Sequence, residues 1–313
     1  MKDLVWINGV IKPFADATVG IEDRGFQFAD GIYEVIRLYD GIPYTLAEHL
    51  DRLRRSADGI SLPVPLSIES LSAEIAELIS VTGIGEGMVY LQLTRGPAPR
   101  LHAQPANPAP TLLFYCRPLD PLPAPGQAPG VRLWSVIDER WKRCWIKSIA
   151  LLPNTLAKTA AVAAGADEAV FIDAGIVTEC AASNLFAIRN GRLCTHPVGP
   201  KVLPGITRQI LLELAPSLGI PVEERPLTES EAREAEELFI TSTTRELSWV
   251  SHWNDHPISP SHCGPLTLKL HQAFLDHRQG QTAEPLSLSA GSASDGGRPR
   301  EAALLAKSGR GIV

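Results

Sequence analysis

Residues 178–186 read T-E-C-A-A-S-N-L-F. Apolar runs at 169–173 and 185–188 flank this stretch, and an Asp173-Ala174-Gly175 turn follows the first of them, so the local reading is strand, turn, strand. On its own, Glu179 reads as a surface carboxylate beyond a hairpin. Further along, L-C-T stands at 193–195 and L-P-G-I-T-R at 203–208. Gly205-Ile206-Thr207 comes immediately before an apolar-periodic segment, predicted as a helix over 207–218. The N-terminus of that helix offers backbone N–H groups suited to an anion.

The rest of the second half adds strands at Val131–Ile137 and 238–241 and helices at 155–164 and 265–277, without the regular repeat of a doubly wound sheet. Upstream, residues 119–130 (L-D-P-L-P-A-P-G-Q-A-P-G) are dominated by Pro and Gly and read as an interdomain linker. The first half begins with strands at Leu4–Ile7 and 32–39 and a hairpin turn at Asp40-Gly41. Thr45 and Glu48 then have the spacing of a capping box. Leu46, Leu50 and Leu53 recur at helical intervals, with His49 and Arg52 on another face. A helix over 67–81 and strands over 88–94 and 111–116 follow, the strands separated by a Pro-rich loop that holds Arg100 and His102 and is too long for a simple hairpin turn.

The expected fold class is therefore α+β in two domains, a smaller N-terminal α+β domain over 1–118 and a larger C-terminal α/β domain over 131–279. Residues 280–313, rich in Ser, Ala, Gly and Pro with few aromatics, cannot bury enough surface to offset the entropy of ordering and are expected to form an unstructured tail.

A chain of 313 residues is long enough for two cores and a cleft between them. A formal net charge of −6 and no concentrated basic face argue against nucleic-acid binding and leave small molecules as partners. The five cysteines are odd in number, widely spaced and without a C-x-x-C pair, which suggests neither a disulfide framework nor a metal site. The apolar run at the N-terminus is too short for a signal peptide, and no stretch approaches the ~20 apolar residues of a membrane span. The expectation is a cytoplasmic protein.

The three segments quoted above, in that order, resemble the signature of class IV pyridoxal-phosphate enzymes. The resemblance continues through E-D-R-G-F-Q-F-A-D-G-I-Y-E-V from Glu22, E-H-L-D-R-L from Glu48, T-R-G-x-x-P-R-x-H from Thr94, R-C-x-I-K-S from Arg143 and L-F-I-T-S-T-T-R-E-L from Leu238. Together these are similar to the D-amino-acid aminotransferase branch of that family, over about residues 4–277. Two places differ. Cys180, Ala181 and Ala182 stand where small hydroxyl residues are usual, leaving Ser183, and Pro204 removes a backbone donor beside Gly205.

The resemblance implies pyridoxal 5'-phosphate as cofactor, held by the domain at 131–279, with Lys147 as the amine that condenses with its aldehyde. The apolar neighbours of Lys147 favour the neutral, nucleophilic form of an amine. Glu179 would sit against the pyridine nitrogen and keep it protonated. Arg52, Ile206, Thr207, Ser242 and Thr243 would hold the phosphate, with Leu203 and Ser183 also against the cofactor. The implied reaction is a ping-pong exchange between a D-amino acid such as D-alanine or D-glutamate and a 2-oxo acid such as pyruvate or 2-oxoglutarate. Tyr33, Arg100 and His102 would bind the substrate α-carboxylate, the last two reaching across the interface of a homodimer. The same residues are also compatible with a branched-chain L-amino-acid aminotransferase, an aminodeoxychorismate lyase, or a silent paralogue that only binds cofactor.

Overall fold

The structure is a computed structural model and describes residues 2–258 and 262–282. The first half forms one antiparallel sheet from β1 (Leu4–Ile7), β2 (Val10–Pro13), β3 (Gly31–Tyr39), β4 (Ile42–Pro43), β5 (Gly87–Thr94) and β6 (Thr111–Pro118), in the order β2-β1-β6-β5-β3-β4. Side chains alternate across a strand, and in β5 Val89, Leu91 and Leu93 are fully buried while Met88, Tyr90 and Gln92 are half-buried. A short helix α1 (Arg24–Phe28) precedes β3, and α2 (Leu46–Gly59) and α3 (Ile68–Thr82) cover the buried face. The Asp40-Gly41 turn closes the β3–β4 hairpin with both residues at positive φ (50° and 78°), as its sequence requires.

Helix α2 buries two stripes. Leu46, Leu50, Leu53 and Ala57 join the core under the sheet, each fully buried leucine contributing roughly 1.5–3 kcal/mol. His49, Arg52 and Ser56 are equally buried, and Arg52 and Ser56 meet the second half of the chain, at Pro204 and Lys147. The capping box expected at Thr45 and Glu48 does not form. Thr45 has φ 54° and its hydroxyl donates to the Tyr44 carbonyl (2.7 Å), while Glu48 is exposed. The chain leaving β4 enters the helix through a left-handed residue, whereas a capping hydroxyl reaches the N3 amide from extended backbone.

The second half forms a mixed sheet of ten strands: β7 (Val131–Ile137), β8 (Glu168–Asp173), β9 (Ile176–Cys180), β10 (Asn184–Arg189), β11 (Arg192–Thr195), β12 (Val222–Glu224), β13 (Leu227–Thr228), β14 (Glu237–Ser242), β15 (Glu246–Trp253) and β16 (His256–Pro257). Their order is β12-β11-β10-β14-β15-β7-β8-β9-β13, with β16 paired to β15. Helices α4 (Leu152–Ala163), α5 (Ile206–Leu214), α6 (Glu229–Arg233) and α7 (Pro265–Thr282) accompany it. Helices α5 and α7 pack on Phe186, Ile188 and Phe239, and α4 packs through Ala157 and Ala161 on Ala169 and Phe171.

Several boundaries differ from the sequence expectation. Helix α5 ends at Leu214 and passes into a tighter turn over Ala215–Leu218, since Pro216 has no N–H for an α-helical bond. Helix α4 begins at Leu152, ahead of the expected start, because Pro153 falls in the first turn where no N–H is needed. The expected strand at 238–241 has an unanticipated neighbour, β15. Helix α7 continues through Thr282, so residues 280–282 are helical, contrary to the expected tail; the rest of that tail, 283–313, lies outside the described residues. Residues 119–130 contain no helix or strand, and the Trp249 indole N–H donates to the Ala128 carbonyl (2.8 Å). No described helix is long and apolar enough to cross a membrane.

Candidate active site

A cavity of about 620 Å³ lies where β3 and α2 of the first sheet meet the ends of β9, β10 and β14 and the start of α5. The chain between β7 and α4 crosses here from one sheet to the other. Tyr33 N–H donates to the Lys147 carbonyl (3.0 Å), Ile149 N–H donates to the Gly31 carbonyl (3.1 Å), and Lys147 N–H donates to Ser56 Oγ (3.1 Å). Residues 147–149 therefore run along β3 like an added strand. The Lys147 side chain starts from that anchored backbone, and its Nζ lies 4.1 Å from the centre of the Tyr33 ring.

Glu179, near the end of β9, is buried against the cavity. Its Oε1 accepts from Arg140 Nη1 (2.5 Å), and its Oε2 accepts from Asn184 Nδ2 (3.1 Å) and the Leu203 amide (3.0 Å). These donors leave one of the roughly four acceptor directions of a carboxylate over. Burial pushes the Glu179 carboxyl pKa up, opposed by the Arg140 charge and hydrogen bond and by the Leu203 amide. Arg140 is itself gripped by Asp138 through Nε and Nη2 (2.9 Å each) and by the Lys201 carbonyl (3.0 Å), and lies 4.2 Å over the Phe171 ring.

The Asn184 amide also donates to the Leu203 carbonyl (3.0 Å), which ties β10 to the loop before α5. A Cβ at Gly205 would stand 2.0 Å from Asn184 Oδ1, so only glycine fits there while Asn184 keeps its place. Ile206 and Thr207 open α5 and line the cavity, and the first N–H groups of a helix have no partner within it. Across from them Arg52 donates through Nε and Nη2 to Glu34 (2.7 and 2.8 Å) and through Nη1 to the Pro204 carbonyl (3.0 Å). Arg52 thus spends its planar fork on Glu34 and faces the cavity with the N–H bonds left over. Ser242 and Thr243 sit at the β14–β15 turn on the same wall, and Ser183 Oγ and Thr241 Oγ1, both lining the cavity, are buried without a hydrogen-bond partner.

All the candidate cofactor- and substrate-binding residues named from the sequence line this cavity except Arg100 and His102. Those two are exposed on the loop between β5 and β6, with the Arg100 guanidinium 5.0 Å from the Phe28 ring centre and the His102 ring 5.7 Å from it. The family model for class IV amino-transferases matches residues 31–253, a span that contains every one of the cavity residues named above. The chain belongs to that family. It is 43% identical over 274 residues to the D-alanine aminotransferase of Listeria monocytogenes serotype 4b (strain F2365), covering 87% of this chain and 95% of that protein. To the D-alanine aminotransferase of Bacillus licheniformis it is 40% identical over 280 residues, covering 90% of this chain and 99% of that one. Among solved structures it is similar to the T.th. branched-chain amino acid aminotransferase with pyridoxamine 5'-phosphate, at a TM-score of 0.82 and 26% identity over 90% of this chain and 95% of that chain.

Sequence reasoning about this class IV aminotransferase missed Arg140 and the Glu34–His49–Arg52 group. Arg140 lies 39 residues from Glu179 and outside any regular element, and its neighbours Glu139, Trp141 and Lys142 give it the look of a surface residue. Glu34 follows Tyr33 on β3, and its signal was available: a carboxylate inside an apolar strand pattern needs a cation, and α2 carries one.

Burial alone would push the Glu34 carboxyl pKa up, yet the charge and hydrogen bonds of Arg52, helped by His49, hold it far below the usual carboxylate range. Its contribution to stability is therefore present above the unfolded pKa and lost only as pH falls through the depressed folded value. In Arg52→Ala the burial effect stands opposed only by His49, whose own pKa burial lowers, so the folded pKa of Glu34 rises above its unfolded value and the sign reverses. The variant is expected to lose roughly 3–5 kcal/mol at pH 7, as when one partner of a buried pair is removed, and to recover part of it toward pH 4. Urea unfolding at both pH values checks this; an equal loss at both would show that Glu34 is not the cause.

Proposed function

We propose that this class IV aminotransferase moves the amino group of a D-amino acid, of the D-alanine or D-glutamate kind, to a 2-oxo acid such as pyruvate or 2-oxoglutarate. It does so with pyridoxal 5'-phosphate and works as a homodimer. The observation that carries this reading is a single cavity with an amine at Lys147, a buried carboxylate at Glu179 and a helix N-terminus with Arg52 beside it. The buried hydroxyls of Ser183 and Thr241, without partners of their own, fit a site that receives a polar group.

In this reading Arg52, the first amides of α5 at Ile206 and Thr207, and the Ser242-Thr243 turn hold the phosphate, with Leu203 and Ser183 against the ring. When bound, the cofactor supplies an aldehyde that takes up the amino group and a ring that accepts electrons from the substrate Cα. Lys147 Nζ would anchor the cofactor and move the proton at the substrate Cα. Glu179 holds a proton at the ring nitrogen. The Arg140 ion pair orients the carboxylate, and Asn184 and the Leu203 amide fix its second oxygen.

Tyr33 lines the cavity and binds the substrate carboxylate, with Arg100 and His102 supplied by the second subunit. The exposure of both on a loop outside the chain's own cavity supports that arrangement. A D-amino acid is favoured over a branched-chain L-amino acid by the higher identity to the D-alanine enzymes.

Turnover of D-alanine, D-glutamate, L-leucine and L-isoleucine with pyruvate or 2-oxoglutarate tests the reading. The D-amino acids are expected to react fastest, and L-leucine or L-isoleucine outpacing all of them would replace the reading with the branched-chain one. Arg100→Ala is expected to raise KM for D-alanine about 10- to 100-fold, the equivalent of one lost charged hydrogen bond, and to leave the visible absorption of the bound cofactor unchanged.

A further inference from the structure

In the segment E-D-R-G-F-Q-F-A-D-G at 22–31, Asp23 and Arg24 are buried although neither has a part in the chemistry above. Asp23 caps α1 by accepting from the Gly25 amide (2.8 Å) and also accepts from the hydroxyls of Thr94 (3.0 Å) and Thr111 (2.7 Å). Those threonines end β5 and begin β6, so Asp23 fastens both roots of the loop that carries Arg100 and His102. Gly25 is required because a Cβ there would stand 2.3 Å from Thr94 Cγ2.

Arg24, 3% exposed, points from α1 to the middle of the loop. Its Nη1 donates to the Leu101 carbonyl (2.6 Å) and the Ala103 carbonyl (3.5 Å), and its Nη2 donates to the His102 carbonyl (3.4 Å). Its Nε donates to Asp30 (2.9 Å), and the same carboxylate oxygen accepts from Arg95 Nε (2.9 Å). The Phe28 ring meets the Arg24 guanidinium at 4.7 Å, the Arg100 guanidinium at 5.0 Å and the His102 ring at 5.7 Å. Three consecutive carbonyls are thus gathered on one buried cation, which curls the backbone so that the side chains at 100 and 102 both meet Phe28. Only a planar guanidinium offers donors to all three carbonyls and to Asp30 at once.

We infer that Arg24 is a positioning residue for substrate recognition: through the 101–103 carbonyls it holds Arg100 and His102 as a preformed pair for the substrate carboxylate. The inference rests on the proposed carboxylate-binding role of those two residues. A loop without this anchor populates the competent arrangement only part of the time, and apparent affinity falls by that fraction.

The test uses purified holoenzyme carrying Arg24→Lys, which keeps the charge beside Asp30 but cannot span the carbonyls, and Phe28→Leu, which removes the stacking ring. Arg24→Lys is expected to raise KM for D-alanine about tenfold, with kcat within about twofold and the cofactor absorption unchanged. The Leu101 amide, which donates to the Pro99 carbonyl (2.7 Å), should exchange with deuterium about tenfold faster while the amides of β5 and β6 keep their rates. In an Arg100→Ala/His102→Ala background the same change should raise KM by less than about twofold, since Arg24 acts through those two side chains. If Arg100→Ala raises KM while Arg24→Lys and Phe28→Leu leave both KM and loop exchange at wild type, the inference is wrong and the carboxylate reading survives. The inference is also overturned if Arg24→Lys is as costly without Arg100 and His102 as with them. If Arg100→Ala has no effect on KM, the carboxylate reading itself fails and takes the inference with it. Should Arg24→Lys not fold, Phe28→Leu carries the same measurements.

Discussion

Lys147→Ala is expected to lower transamination by at least about 10⁴-fold, because in the proposed reading one amine both anchors the cofactor and moves the proton. The visible absorption that depends on covalent attachment should vanish, and borohydride should no longer fix the cofactor to the protein. Folding should be spared, with a change within about 1 kcal/mol, since the contacts that hold this residue use its backbone N–H and carbonyl, to Ser56 and from Tyr33. Among the described residues Lys147 is the one lysine lining the cavity, so no neighbouring amine stands ready to replace it. A variant that still yielded borohydride-fixed cofactor and normal turnover would falsify the assignment.

Glu179→Gln should separate binding from chemistry. A neutral amide cannot keep a proton on a pyridine nitrogen, so the half-reaction with D-alanine, followed by stopped-flow absorbance, is expected to slow by about 10²- to 10⁴-fold while the cofactor stays bound. The structural cost should be moderate. Arg140 loses one carboxylate but keeps Asp138 through two bonds, so it is not left as an unpaired buried charge. One glutamine oxygen can still accept from the Leu203 amide or Asn184. Its NH₂ then meets the Arg140 donor, an unsatisfied contact worth roughly 1–3 kcal/mol. Half-reaction rates equal to wild type would remove Glu179 from the ring nitrogen, whatever the change in stability.

Much of the candidate site was legible because its residues stand in short motifs whose order resembles the class IV signature. Glu179, Asn184 and the Gly-Ile-Thr turn fall in that order, while the strand and helix periods around them show only where each segment begins and ends. Lys147 and Tyr33 were legible from their motifs, as were the two sheets from alternating strands such as β5. Local sequence also misled: Thr45 and Glu48 have the spacing of a capping box, but the left-handed backbone imposed by the chain leaving β4 prevents one.

What the sequence by itself determined, then, is the longer elements around the cleft and the motifs carried on them, since periodicity and turn chemistry are short-range properties; β15 and the short helices α1 and α6 were not among them. The pairings were decided only by the tertiary structure. Arg140 reaches Glu179 across 39 residues, Glu34 rather than open space takes the fork of Arg52, and Arg24 binds the 101–103 carbonyls from 77 to 79 residues away. Each is a buried charge whose partner lies on a different element. Burial makes such a partner obligatory, but the chain's local pattern does not say which one folding will bring within reach.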